Sequence, residues 1–346
     1  QGAQVYAVDI PSGVDADSGE VYAGAVIADV TMIVACVKQG LLEDEVIDYV
    51  GEIEFIELEE LPAPQGESHD HVELITENLL RSQLHRPPFS QHKGMAGRVG
   101  IIAGSRGMLG AAALAAKGTL RGGAGLVTLF IEESLYELIS PLVPVEVMTQ
   151  PVKNIEDVMN HKFDALVIGP GLGKSDLIND LIYMLEKTKV PMVIDADALN
   201  WIARNQSLGS LKESHIVTPH PGEMARLLPE SGSLSRKETS ELFVKKCAAT
   251  LLYKGSRTIV ANKQSAIHYN TTGSPGMASG GQGDALAGLL AALLCKQHTP
   301  IQAATAGAWL AGRAATIALA SGQSEESLIA SDVLDHFGAA FRRIHG

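Results

Sequence analysis

The sequence predicts an α/β protein built on a doubly wound, mostly parallel sheet with helices on both faces. From Arg98 onward, short apolar runs alternate with longer stretches of helical periodicity, a pattern typical of repeated strand–helix–strand units. Glycine-rich or proline-containing loops follow several of these runs, as expected where parallel strands end at a ligand-binding edge. The chain has 346 residues, which leaves room for roughly two domains of about 150 residues each.

The first elements form a short N-terminal unit. Apolar runs predict its strands at 4–10, 29–35 and 52–58. A proline-rich polar passage at 61–71 follows, and such a passage is typical of a domain boundary. We therefore expect a first unit, a linker and a main domain at 1–62, 63–78 and 79–346.

The main domain begins after a predicted helix at 76–84. Its apolar runs predict strands at 99–103, 126–130, 165–168, 192–195, 216–218, 250–253, 258–261 and 265–269. The helical patterns between and after them predict helices at 111–121, 155–161, 176–187, 198–205, 221–228, 235–248, 283–294, 300–320 and 332–343. The chain thus closes with a helical third.

Composition excludes several classes of partner. The formal net charge is −13 and aromatic residues make up 5% of the chain, so neither a nucleic acid nor an anionic membrane surface is expected as a partner. The most apolar long run, 303–320, carries Arg313 and is short for a membrane span. The three cysteines are far apart with no CxxC spacing, which favours a reducing cytoplasm over a disulfide framework or a zinc site.

The stretch 276–288 carries the strongest functional signal. It runs from a β-rich segment through a glycine-dense loop into an apolar helix, and this order can build an anion pocket from backbone N–H groups. Asp284 lies at the helix start, a position that favours binding of a phosphate. A carboxylate at such a position suggests chemistry on the phosphate, so Asp284 is a candidate catalytic group. A carboxylate that merely caps the helix is the alternative.

Other candidate loops follow predicted strands. If the sheet is doubly wound, they converge on one edge with the 276–288 loop. The run Gly169 to Ser175 is one residue short of a Walker A loop, which needs a glycine where Ile168 stands, so we reject a P-loop. The loops lie at 104–112, 169–175, 195–200, 218–225 and 253–258. A tight turn with no ligand role is the alternative for the first, a structural or solvated histidine for 218–225, and a plain surface hairpin for 253–258. The two carboxylates of 195–200 suit either the neighbourhood of a Mg²⁺ ion or a helix cap, and capping is the expected role of Asp197.

Seven motifs, taken in order, resemble one known family. They lie at 92–94, 98–105, 122–127, 169–173, 194–200, 218–224 and 281–288. Through them, residues from about 80 to 346 resemble the ADP-dependent NAD(P)H-hydrate dehydratases, which have a ribokinase-like fold. The first unit, through 8–15, resembles the C-terminal part of an NAD(P)H-hydrate epimerase domain, a partial Rossmann-like α/β segment.

The resemblance implies a substrate and a reaction. The substrate is (6S)-hydrated NADH or NADPH, whose C6 hydroxyl is phosphorylated by ADP, or by ATP as the alternative donor, and then lost as phosphate. It implies that Asp284 is the catalytic base and also contacts substrate, and that Mg²⁺ takes part through ligands the sequence does not specify. Ala112, Gly173 and His220 match substrate-contacting positions, and the nucleotide-binding positions are Lys254, Gly255, Ser256, Arg257, Thr258, Gly281, Gln282 and Gly283.

In the first unit, Asp9 matches an epimerase substrate residue and Ser12 a K⁺-binding position. The asparagine- and glycine-rich loop that completes that site does not precede them, so we expect no epimerase activity from this chain. We also expect a cytoplasmic homo-oligomer. A ribokinase-like kinase acting on a vitamin precursor is the alternative function, because the glycine–aspartate loop alone does not separate the two.

Overall fold

A computed structural model describes residues 3–56, 58 and 72–346. Its strands form two sheets. The small sheet has the order β1-β2-β3 and the large one the order β4-β13-β12-β11-β10-β9-β8-β5-β6-β7. The strands are β1 Tyr6–Val8, β2 Val30–Val34, β3 Glu52–Ile56, β4 Val72–Leu74, β5 Arg98–Ile102, β6 Leu126–Glu132, β7 Met148–Val152, β8 Ala165–Ile168, β9 Met192–Ile194, β10 His215–Val217, β11 Thr250–Tyr253, β12 Thr258–Ala261 and β13 Ile267–Asn270.

Helices cover both faces of the large sheet, as predicted. They are α1 Ile47–Val50, α2 Glu77–Gln83, α3 Leu109–Arg121, α4 Tyr136–Ile139, α5 Ile155–Met159, α6 Leu181–Lys187, α7 Asp197–Arg204, α8 Pro221–Leu227, α9 Arg236–Lys246, α10 Gln282–Leu294, α11 Pro300–Ala320 and α12 Ala330–His345. None of these described helices is long and apolar enough to span a membrane.

Two hydrophobic cores lie on opposite faces of the large sheet. The strands contribute side chains to both cores, because successive side chains point to opposite faces of the sheet. In β5, for example, Ile101 belongs to the core formed with α3, α10 and α11, whereas Ile102 belongs to the core formed with α6, α7 and α9. The mostly parallel, doubly wound architecture is confirmed, and β12 is the strand that runs antiparallel to both of its neighbours.

Two strands of the large sheet were missed. β4 lies inside the predicted linker and pairs in parallel with β13, as in His268 opposite Glu73, so the linker prediction is wrong over Val72–Leu74. β7 carries Pro151 and forms the opposite edge beside β6. Proline is tolerated at a sheet edge, where its missing N–H breaks no ladder. The proline-rich passage at 61–71, predicted as the domain boundary, lies outside the described part of the chain.

The N-terminal unit packs on the second of these cores. Its buried side chains Ile33, Leu41 and Val46 join the same hydrophobic cluster as Tyr253 and Ile259 of the large sheet. This contact brings the short turns at 39–46 against the hairpin formed by β11 and β12.

Candidate active site

The strand-end loops meet at one edge of the large sheet, as predicted. The N–H of Gly104 donates to the carbonyl of Pro170 at 2.9 Å, and the N–H of Lys254 donates to the carbonyl of Pro219 at 2.9 Å. Gly169 comes so near Asp195 that a Cβ on the glycine would lie 1.8 Å from the aspartate carbonyl oxygen. The two loops therefore pack so closely at this edge that residue 169 has no room for a side chain.

Helix α10 begins at this edge with the glycine-rich loop. Gly281 is its N-cap residue, with φ of 91°, and a Cβ there would lie 2.5 Å from Cδ1 of Leu114. The first turn of a helix has N–H groups without intrahelical acceptors, and these groups favour an anion. The Gln282 side chain turns back, and its Nε2 donates to Oγ of Ser279 at 3.2 Å, as expected if only the backbone of this residue faces the anion.

Asp284 lies in that first turn, partly buried. Burial, and then the charge of Asp195, raises the pKa of the Asp284 carboxyl to about 6, although the Lys254 ammonium acts in the opposite direction. A carboxylate with this pKa is ionised near neutral pH and yet basic enough to accept a proton from a hydroxyl. The side chain is thus suited to general-base chemistry as well as to its place in the helix start.

Lys254 occupies the centre of the site. Its Nζ lies 2.9 Å from Oδ1 of Asp195 and 3.8 Å from Oε2 of Glu223. A Cβ on Gly283 would lie 3.3 Å from the same Nζ. Burial alone would lower the pKa of Lys254, but Asp195 and Glu223 outweigh it and raise that pKa, so the ammonium stays charged.

Asp195 and Asp197 flank a strained residue. Ala196 has φ 51° and ψ −116°, a conformation that is costly for any residue with a Cβ. Helix α7 begins at Asp197 and its N-cap residue is Ala196, so Asp197 is not the cap and the predicted capping role is wrong. Its Oδ2 instead accepts the N–H of Gly173 at 2.7 Å. The strained turn therefore places the Asp195 carboxylate beside Lys254 and the Asp197 carboxylate beside the loop that follows β8.

His220 begins helix α8 at the neighbouring strand end. Its Nδ1 accepts the N–H of Gly222 at 3.0 Å, while Glu223 accepts the His220 N–H at 2.8 Å. The imidazole remains half exposed, with a side-chain exposure of 51%. A ligand can therefore reach Nε2 of a ring whose orientation is already fixed.

Two predicted contact residues are buried. Ala112 is 0% exposed and its Cβ packs under Gly104, so its direct contact with substrate stays a prediction. Arg257 is 3% exposed, and its Nη1 donates to the carbonyl of Leu41. Burial lowers the pKa of the Arg257 guanidinium to about 10, and the side chain points away from Lys254, into the N-terminal unit.

The rest of the 254–258 loop is available. Gly255 and Ser256 are exposed, and Oγ1 of Thr258 donates to the carbonyl of Gly255 at 3.3 Å. Lys174 is exposed, as expected of a surface charge. The site residues that the sequence did not assign are Asp195 and Glu223, although both lie in strand-end loops that the sequence singles out.

Asp9 and Ser12 lie in the separate N-terminal unit. Asp9 has φ of 70°, accepts the N–H of Val34 at 3.1 Å and pairs with Lys38. Burial acts to raise the pKa of Asp9, but the bonds from Lys38 and Val34 outweigh it and lower that pKa. The backbone carbonyl of Ser12 accepts the N–H of Val26 at 2.8 Å. The structure does not bring these two residues to the edge where Asp284 lies.

Two family models match the chain. Residues 99–335 match the family described as NAD(P)H-hydrate dehydratase, and residues 1–40 match the YjeF-related protein N-terminus. A bifunctional NAD(P)H-hydrate repair enzyme from Moorella thermoacetica is 34% identical, over 99% of this chain and 67% of the relative. The enzyme of that name from Escherichia coli is 34% identical, over 96% and 64%. The chain thus spans about two thirds of these relatives.

Solved structures resemble more than three quarters of the chain. An ADP/ATP-dependent NAD(P)H-hydrate dehydratase from Bacillus subtilis, co-crystallised with ATP and Mg²⁺, is 26% identical with a TM-score of 0.66, over 79% of this chain and 99% of that one. A hydroxyethylthiazole kinase from Pyrococcus horikoshii is 18% identical with a TM-score of 0.51, over 77% and 94%. The second likeness shows a shared fold alone.

Proposed function

Because the chain belongs to the NAD(P)H-hydrate dehydratase family, we propose that it restores NADH or NADPH from the (6S)-hydrated cofactor. ADP is the proposed phosphoryl donor and ATP the alternative. A hydroxide ion is a poor leaving group at neutral pH, so the hydroxyl is first converted into a phosphate ester. The position of Asp284, beside Lys254 at the start of α10, is the observation that carries the proposal.

In the first step, Asp284 accepts the proton of the C6 hydroxyl as that oxygen attacks the terminal phosphorus of ADP. The bond between the phosphorus and the bridging oxygen breaks, and AMP leaves with the electron pair. In the second step, the carbon–oxygen bond breaks, phosphate leaves with that electron pair, and a proton is lost from the adjacent ring carbon. The products are the reduced cofactor, AMP and phosphate.

The groups around Asp284 support this chemistry. The N–H groups of Gly281, Gln282 and Gly283 lie where a helix start stabilises developing negative charge. Lys254 brings a permanent positive charge to the same place. On the substrate side, Gly173 and His220 would orient the nicotinamide portion, Gly173 being itself fixed by Asp197.

The donor set also suits Mg²⁺ delivered with a nucleotide. Within the described residues, no group of three or more His, Cys, Asp and Glu side chains is placed to hold a metal. Asp195 and Glu223 nevertheless flank Lys254, and Mg²⁺ is commonly held by one or two carboxylates together with phosphates and water. Bound there, the ion would neutralise charge on the phosphates, which these carboxylates would otherwise repel.

We assign this function to residues 72–346, since β4 completes the large sheet. The test is incubation of the protein with (6S)-hydrated NADH, Mg²⁺ and either ADP or ATP. Return of the near-ultraviolet absorbance of the reduced nicotinamide, with one phosphate released per cofactor, is expected. A stable phosphorylated product with no such absorbance would favour the alternative kinase.

A further inference from the structure

The loop that carries Lys254 is held from behind by an arginine of α9. Arg236 Nη2 donates to the carbonyl of Tyr253 at 2.9 Å, and its Nη1 donates to the carbonyl of Arg257 at 3.0 Å. These two carbonyls stand at the two ends of the turn between β11 and β12. One planar guanidinium therefore fixes the separation of both ends of the loop.

Gly255, between those ends, lies directly on this guanidinium. A Cβ on Gly255 would come within 2.6 Å of Cζ of Arg236, so only glycine allows the loop to lie this close. The guanidinium also stacks on the Tyr253 ring, with its carbon 4.8 Å from the ring centroid. The Arg236 side chain is only 13% exposed, and this restricted position limits the conformations that the loop can adopt.

The N-terminal unit completes the contact. Oδ1 of Asp44 lies 3.1 Å from Nη1 of Arg236, and the Leu41 carbonyl accepts from the buried guanidinium of Arg257. Both residues belong to the short turns that pack on the β11–β12 hairpin. We call Leu41, Asp44 and Arg236 the loop anchor.

We propose that the loop anchor is a positioning device for nucleotide binding, through which the N-terminal unit raises the nucleotide affinity of the large-sheet domain. This inference rests on the proposed function, because it takes the 254–258 loop to be the nucleotide loop. The anchor acts through the backbone: with the loop fixed, its N–H groups and Lys254 are ordered before the ligand arrives. Ordering them only on binding would weaken affinity.

The test measures ADP dissociation constants by calorimetry with Mg²⁺ present, for the whole chain and for three variants. Arg236→Lys keeps the charge but cannot span two carbonyls and a carboxylate with one planar group. We expect its ADP affinity to fall about tenfold. Asp44→Asn should weaken binding roughly two- to fivefold, and Glu45→Gln, the adjacent exposed carboxylate, should leave it unchanged.

Steady-state kinetics separate positioning from a general structural role. The KM for ADP should rise in Arg236→Lys while kcat at saturating ADP stays within about twofold of the parent. A folded Arg236→Lys protein with unchanged ADP affinity would overturn the inference, and so would a parent protein that binds neither ADP nor ATP. Nucleotide binding that responds to the anchor, without any recovery of hydrated NADH, would leave the inference standing and refute the proposed function instead.

Discussion

Replacing Asp284 by asparagine separates the chemistry of this residue from its effect on stability. The carboxyl pKa is raised from 3.8 to about 6, so the folded state holds the proton more tightly than the unfolded chain does. Stability from this group is therefore present below the unfolded pKa and is lost as pH rises through about 6. Two pKa units correspond to about 3 kcal/mol.

Asparagine has nearly the same shape and avoids that cost, in which the attraction to Lys254 is already included, and the partial exposure of the carboxyl reduces the cost through solvent screening. We therefore expect Asp284→Asn to be more stable than the parent by about 2 kcal/mol at pH 8, with a melting temperature higher by about 4 °C. The gain should shrink toward zero as pH falls to about 4, where the parent carboxyl is protonated. Turnover should fall by about 10²- to 10⁴-fold while ADP affinity is retained.

Thermal and urea unfolding between pH 4 and 8 measure the stability difference. Asp335→Asn is the matched control, because Asp335 is half exposed and pairs with Lys117 at 2.9 Å. That variant should lose at most about 1 kcal/mol over the same range. An Asp284→Asn protein that is less stable than the parent at pH 8, or that keeps full turnover, would refute the reasoning.

Three further predictions follow from the same site. The value of kcat/KM should rise with pH through about 6, because the Asp284 base must be ionised; a profile flat from pH 5 to 8 would argue against this base. Ala196→Gly should raise the free energy of unfolding by about 1 kcal/mol, since glycine adopts φ 51° without strain, and a lower melting temperature would contradict this. Lys254→Gln should lower the free energy of unfolding by about 3 kcal/mol in urea titrations and weaken ADP binding, because it leaves the buried Asp195 unpaired; an unchanged unfolding midpoint would contradict that.

Much of the large sheet was predictable because its central strands are buried on both faces. All four residues of β8 are buried, and such a strand is a continuous apolar run that stands out in a sequence. The edge strands lack this signal. β4 has three residues, and β7 alternates in exposure and contains a proline, so neither differs clearly from a loop in the sequence.

The site could be predicted as far as its residues follow strand ends. The sequence predicted that Asp284, Lys254, Gly173 and His220 lie at one edge, because parallel strands end together. It could not show which way each side chain points. Asp197 was expected to cap a helix and bonds to Gly173 instead.

The loop anchor could not be predicted from the sequence. Asp44 and Arg236 are separated by 192 positions in the sequence, and no local motif links them. Arg257 lies in the predicted nucleotide loop, but its side chain faces the N-terminal unit. Contacts between distant segments depend on how the units pack, which neither periodicity nor turn chemistry reveals.

The most direct test of the central claim follows the oxygen atom at C6. Hydrated NADH prepared with oxygen-18 in its hydroxyl group is converted by the protein with unlabelled ADP and Mg²⁺, and the released phosphate is analysed by mass spectrometry. If the hydroxyl is phosphorylated before it leaves, each released phosphate carries one labelled oxygen. Label released as water, with unlabelled phosphate, would contradict the account.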